Sequence, residues 1–128
     1  MAAGAKEKME ISDDRSVAAE SVSSRFSTTL TAKTLKQFVE HANPCGSVKD
    51  VPGIKEKNAE ILAKHNIKNT HQLIGKFIIL KNNSDMNVDD HCASFESWLK
   101  EIGIKTHTKN ITCAIAEKTA VLFPDLHP

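Results

Sequence analysis

Five stretches of the chain place apolar residues at helical spacing. Leu35, Phe38, Val39 and Ala42 fall at i, i+3, i+4 and i+7, which predicts a helix over residues 34–41 with Thr34 near its cap. Asn43-Pro44-Cys45-Gly46 stops it, and Ser47 can cap a short helical segment over residues 47–51. Ala59, Leu62 and Ala63, with Ile61 beside them, line one face of the next helix, which ends near His65-Asn66. Asn69-Thr70-His71-Gln72 reads as a capping box ahead of Leu73, Ile74, Phe77 and Ile78. Gly75 interrupts that helix, and its cost there predicts that something packs close to it. A polar, acidic loop is expected over residues 82–90. Phe95, Trp98, Leu99 and Ile102 then repeat the helical spacing, and Gly103 stops it. Thr106 or Thr108 can cap a last helix over residues 109–122, with Ile111, Ala114, Ile115 and Leu122 inward, and Pro124 ends it. No useful length alternates with strand period. The pattern predicts an all-α fold, a compact bundle of about five short helices.

Between the first two helical patterns lies Val51-Pro52-Gly53-Ile54-Lys55. Pro52 sets a turn φ, and Gly53 can take the positive φ of a sharp reversal. A glycine turn feeding a helix leaves backbone N–H groups without intrahelical acceptors, at the positive end of the helix dipole. That arrangement holds anions, and Lys55 and Lys57 add charge to it. The stretch resembles the helix-hairpin-helix motif, a clamp on the nucleic-acid backbone. It departs from that motif at Lys55, where a second glycine is usual. The alternative reading is an ordinary helix connection with a proline turn.

Charge is distributed in support of the clamp. The net charge of the chain is only +1. Residues 31–81 hold nine lysines against Glu40, Asp50, Glu56 and Glu60, whereas residues 82–128 hold four lysines against seven acids. The hairpin therefore lies in the basic half, the sign that phosphate contact requires. Residues 1–30, rich in Ala, Ser and mixed charge, read as a flexible tail ahead of a domain over 31–128. The hydroxyls of Ser27, Thr28, Thr29 and Thr31 form either a solvated linker or a phosphorylation switch. No apolar run is long enough to span a membrane and no secretory h-region is present, so no membrane insertion is expected. Cys45, Cys92 and Cys113 form no C-x-x-C pair and are expected as free, buried thiols.

Other chemistry finds little support. Asp85-x-Asn87-x-Asp89 with Glu96 imitates a calcium loop, but Asp90 stands where its glycine belongs. His91-Cys92 lacks a second pair at zinc spacing, so no metal or other cofactor is expected. Trp98 is read as core or dimer interface, with base stacking the alternative. Helix-hairpin-helix motifs also occur in DNA-repair lyases and accessory domains, and a lyase would need a lysine of lowered pKa in a pocket.

The order of these landmarks is similar to that of the barrier-to-autointegration factor family. Phe38-Val39 lies in the first helix, Gly53-Ile54 in the hairpin, and Gly75, Phe77, Leu80 and Lys81 in the next helix. Phe95, Trp98, Leu99 and Lys100 follow, and Cys113 lies in the last helix. The match runs over roughly residues 31–122. It implies a homodimer that binds and bridges double-stranded DNA without sequence preference in nuclear chromatin, with the cytoplasm a second compartment. It also implies nuclear-envelope or chromatin proteins as partners, and no catalysis. By position, the DNA-facing set would be Lys33, Thr34, Gly53, Ile54, Lys55, Lys57, Asn58, His107, Thr108 and Lys109. Thr34 and Thr108 stand where the family has lysines, each next to a lysine of its own. Residues 82–90 include an insertion of about eight residues relative to the family. A repair-type lyase or accessory domain, and an interaction domain that has lost DNA binding, remain the alternatives.

Overall fold

A computed structural model describes residues 30–82 and 84–127. The expected tail, with its hydroxyls at 27–29, lies outside the described residues apart from Leu30, which packs against the core. Among the described residues five α-helices follow in order: α1 Ala32–His41, α2 Glu56–Lys64, α3 Thr70–Ile79, α4 Val88–Glu101 and α5 Thr108–Leu122. A 3-10 turn, Val48–Asp50, precedes α2. The fold is all-α, and among the described residues the sole strand-like feature is one isolated antiparallel bridge between Ser47 and Asn69.

The helix ends follow local chemistry, with three corrections to the sequence reading. α1 starts at Thr31, not Thr34: the Thr31 hydroxyl accepts from the Thr34 N–H at 3.1 Å. α4 starts within the expected acidic loop, because the Asn87 side chain accepts from the Asp90 N–H at 2.8 Å and caps it. Asp89 and Asp90 then sit in the first turn, where the dipole favours acids. Positions 88–96 are therefore helical, and a calcium loop cannot form there. α5 is preceded by His107 in the left-handed region at φ 60°, and no side chain caps it, so neither Thr106 nor Thr108 does so. At α3 the expected box is present on the Gln72 side, whose Oε1 accepts from the Asn69 N–H at 3.1 Å.

α5 is the centre of the domain. Nine consecutive residues, Ile111 to Thr119, are buried, because α1, α3 and α4 all pack against it. A helix covered on several sides loses its one-faced pattern, so Leu122, expected inward, is 42% exposed beyond the packed region. Phe38, Leu62, Leu73, Phe77, Phe95 and Leu99 fill the space around it. Phe95 meets Phe77 edge-on at 5.3 Å. Cys92 and Cys113 are buried, but Cys45 is exposed, against expectation, because it lies in the turn that stops α1. Gly75 also departs from expectation. A methyl group added there would meet nothing within 4 Å, so the position faces open space.

Burying α5 traps a charge. Lys118 is 3% exposed, and desolvation holds its pKa below the ordinary lysine value. Its Nζ donates to the carbonyls of Phe38, Val39 and Ala42 at 3.0, 3.1 and 2.6 Å. These lie at the C-terminal end of α1, where the dipole favours a cation, and the Phe38 carbonyl also accepts from the Ala42 N–H at 3.2 Å. Lys118 thus fastens α1 to α5. Replacing it with Met keeps the length of the side chain and removes the donors. Bonds of this charged type contribute about 1.5–3 kcal/mol, so Lys118→Met should lower unfolding stability by about that much in urea at an unchanged m-value.

Candidate nucleic-acid interface

The hairpin is a tight turn held from both sides. The Ile54 N–H donates to the Val51 carbonyl at 3.0 Å, closing a four-residue turn through Pro52 and Gly53. Gly53 has φ +95°, which a proline-glycine turn of type II requires at its third position. Ile54 and Val51 are buried and anchor the turn in the core. The Asn58 side chain, also buried, donates from Nδ2 to the Gly53 carbonyl at 3.3 Å and ties α2 back to the turn.

Gly53 also touches the start of α5. A Cβ at this position would lie 3.0 Å from His107 Cβ and 3.0 Å from Ile111 Cγ1. Glycine is therefore required twice, for its φ and for its missing side chain. The close packing brings the hairpin and the entrance of α5 into one surface, although more than fifty residues separate them in sequence. α2 opens from Lys55 with no side-chain cap, so its first-turn N–H groups have no capping acceptor. Lys55, Lys57, His107 and Lys109 are all exposed around this junction. Glu56 is exposed as well and lies 3.7 Å from Lys49 Nζ.

The remaining candidates have other settings. Lys33 and Thr34 are exposed in the first turn of α1, a separate element packed on α5. Thr108 is buried, and its hydroxyl donates to Glu96 Oε2 at 2.8 Å, which also faces Lys100 Nζ at 3.7 Å. Ile54, Asn58 and Thr108 thus brace the surface from beneath, with Gly53 half-exposed between them and the solvent-facing lysines. The bracing by Asn58 and Thr108 was not visible in the sequence, since it depends on contacts with the Gly53 carbonyl and with Glu96. A lyase would need its lowered-pKa lysine at this junction. Lys118 has a lowered pKa, but its amine is engaged with the carbonyls of α1.

The model of the family described as barrier to autointegration factor matches residues 29–118. That is well over half of the chain, and it spans the hairpin, α5's entrance and every helix contact described above. The chain belongs to the barrier-to-autointegration factor family. The match upholds the resemblance carried by Phe38, Gly53, Phe77, Trp98 and Leu99, and with it the compact helical fold. Membership in the barrier-to-autointegration factor family, a non-enzymatic DNA-binding family, indicates a DNA-binding, chromatin-related role. No curated protein and no solved structure matches the chain significantly. Among the described residues no helix is long and apolar enough to cross a membrane.

The double demand on Gly53 gives a comparison within the molecule. Gly103 also has a positive φ, +107°, but a Cβ there would meet nothing within 4 Å. Gly103→Ala should cost only the left-handed backbone penalty, roughly 1–2 kcal/mol. Gly53→Ala should cost clearly more in the same urea titration, because His107 and Ile111 must also move. Equal losses would contradict the packing of the hairpin on α5.

Proposed function

We propose that the chain binds double-stranded DNA through its backbone phosphates, without sequence preference, and bridges duplexes as a homodimer in nuclear chromatin. The observation that carries the DNA-binding reading is the packing of Gly53 against His107 and Ile111. It gathers the uncapped start of α2 and four exposed basic or titratable side chains, Lys55, Lys57, His107 and Lys109, on one surface. Backbone donors and lysines suit phosphate oxygens, and contacts to phosphate carry no direct sequence information. Lys33, in α1, is a further phosphate contact on this reading, and Thr34 a hydroxyl donor beside it. Nuclear-envelope or chromatin proteins are the proposed protein partners.

Each neutralised phosphate adds about 0.9 to the slope of log affinity against log salt. Changing Lys55 and Lys57 together to Ala should flatten that slope by about 1–2 units and weaken two unrelated duplexes alike. A second comparison separates backbone donors from charge. Lys55 has an extended backbone, which the residue before a proline needs, and the first helical position tolerates proline. Glu56→Pro removes one N–H that Glu56→Ala keeps, at equal charge. The proline variant should bind several-fold more weakly than its alanine counterpart. If it does not, the surface attracts DNA by diffuse charge alone and the clamp is wrong.

Bridging requires two such surfaces. Three features support a self-association face on α3 and α4. Gly75 faces open space, Ile79 is 73% exposed, and an open groove of about 710 Å³ lies between the helices. Trp98, half-buried, lines that groove beneath Lys76, whose Nζ lies 5.1 Å from the ring centre, while Phe77 is core. Ile79→Glu should convert a dimeric mass in size-exclusion light scattering to a monomeric one and abolish bridging while leaving single-duplex binding. A monomeric wild-type protein at tens of micromolar would refute the dimer.

A further inference from the structure

His91 is fully buried, and both its ring nitrogens are engaged. Its ring stacks on Phe77 at 3.9 Å with an interplanar angle of 13°. Nε2 lies 2.5 Å from the Phe77 carbonyl, which can only accept, so Nε2 carries the hydrogen. In the neutral ring Nδ1 is then an acceptor. It faces His127 Nε2 at 2.7 Å, so His127 is the donor. His127 belongs to the short segment after α5, which folds back over the bundle. Lys81 Nζ donates to the Leu126 carbonyl, the Leu126 N–H donates to Phe123 O at 3.0 Å, and the Leu126 side chain packs on the core.

We propose that residues 123–127 form a clasp on α3 and α4, latched by the His91–His127 hydrogen bond and released when both rings take up protons. One proton can be accommodated by a tautomer change, because one ring still offers a lone pair. Two protons cannot: both facing nitrogens become donors, on like charges at hydrogen-bond distance. The surroundings sharpen this conflict. Lys81 faces the pair from the turn after α3, His91 from α4 and His127 from the clasp itself. The acids adjacent in sequence, Asp90 and Asp125, are exposed. Burial lowers the pKa of His91, with Lys81 adding to that and the Phe77 carbonyl opposing it. Burial, then His91 and Lys81, lower that of His127.

Both rings bind protons more weakly in the closed clasp than when free, where histidine titrates near 6.5. Closure is therefore fully favoured above that pH and weakens as pH falls below it, by up to tenfold in the opening constant per pH unit for each proton taken up. Opening uncovers the edge of the Phe77–His91 stack, and His127 and Leu126 leave together.

The test is amide hydrogen exchange at Leu126 in the full chain, corrected for intrinsic rates, together with histidine ring titration by NMR. Between pH 7 and pH 5 the opening constant should rise at least tenfold, and both rings should titrate below 6.5. His127→Gln retains a side-chain donor for His91 and can turn its oxygen to a protonated ring, so its opening should change less than threefold over the same range. The proposal is overturned if Leu126 is unprotected at pH 7, if wild-type opening does not depend on pH, or if His127→Gln follows wild type. Tight binding of one equivalent of zinc between the two rings at neutral pH would also overturn it, by making the pair a ligand set instead of a latch.

Discussion

The contact on which the site depends is between a glycine and the entrance of the central helix. Gly53 packs against His107 and Ile111 at distances that leave no room for a side chain. Ile111 is wholly buried, so the hairpin is referenced to the core and does not float as a surface loop. The same contact requires the turn to reverse at a positive φ, which the Pro52-Gly53 pair provides. Once the turn is fixed, the direction of α2 is fixed, since Asn58 ties the helix to the Gly53 carbonyl. The exposed lysines inherit their arrangement from buried groups.

α5 distributes this constraint through the rest of the domain. It is packed by α1, α3 and α4, and its buried run continues from the hairpin contact at Ile111 to Thr119. At Lys118 it satisfies three carbonyls at the end of α1. The start of α3 and the connection before it are tied to the segment before the hairpin by Thr70 N–H to Gly46 O at 2.8 Å, His71 N–H to Pro44 O at 2.7 Å and Val48 N–H to Lys68 O at 3.1 Å. Polar backbone groups in these loops are thus paired within the domain, as buried or half-buried loop backbone must be. The hairpin side and the α3–α4 side are built on one shared helix.

Where one face of a helix was buried, the sequence was legible. Leu35 and Phe38 in α1, and Phe95 and Leu99 in α4, all entered the core as their spacing indicated. The Gln72 half of the cap at α3 was also visible, because that signal is local. α5 was legible only in part, since burial on several sides removes the periodic signal and places Glu117, Lys118 and Thr119 inside. Helix starts slipped where a hydroxyl or amide a few residues earlier took the cap, as Thr31 and Asn87 did. At the site, charge and turn chemistry marked Gly53, Lys55 and Lys57. The roles of Asn58 and Thr108 depend on which carbonyl or carboxylate lies opposite, and spacing alone does not encode that. His91 read as half of an incomplete metal pair, because its partner His127 lies thirty-six residues away.

On the proposed reading, the hairpin, the first turn of α2 and the entrance of α5 meet phosphate as one surface. The most direct measurement is amide chemical-shift mapping of the full chain as a random-sequence duplex is added. The amides of Gly53, Lys55, Glu56, Lys57, His107 and Lys109 should move together along one binding curve and return together as salt is raised. Shifts spread over lysines of all helices, with the amides of the hairpin and of His107 unmoved, would contradict it.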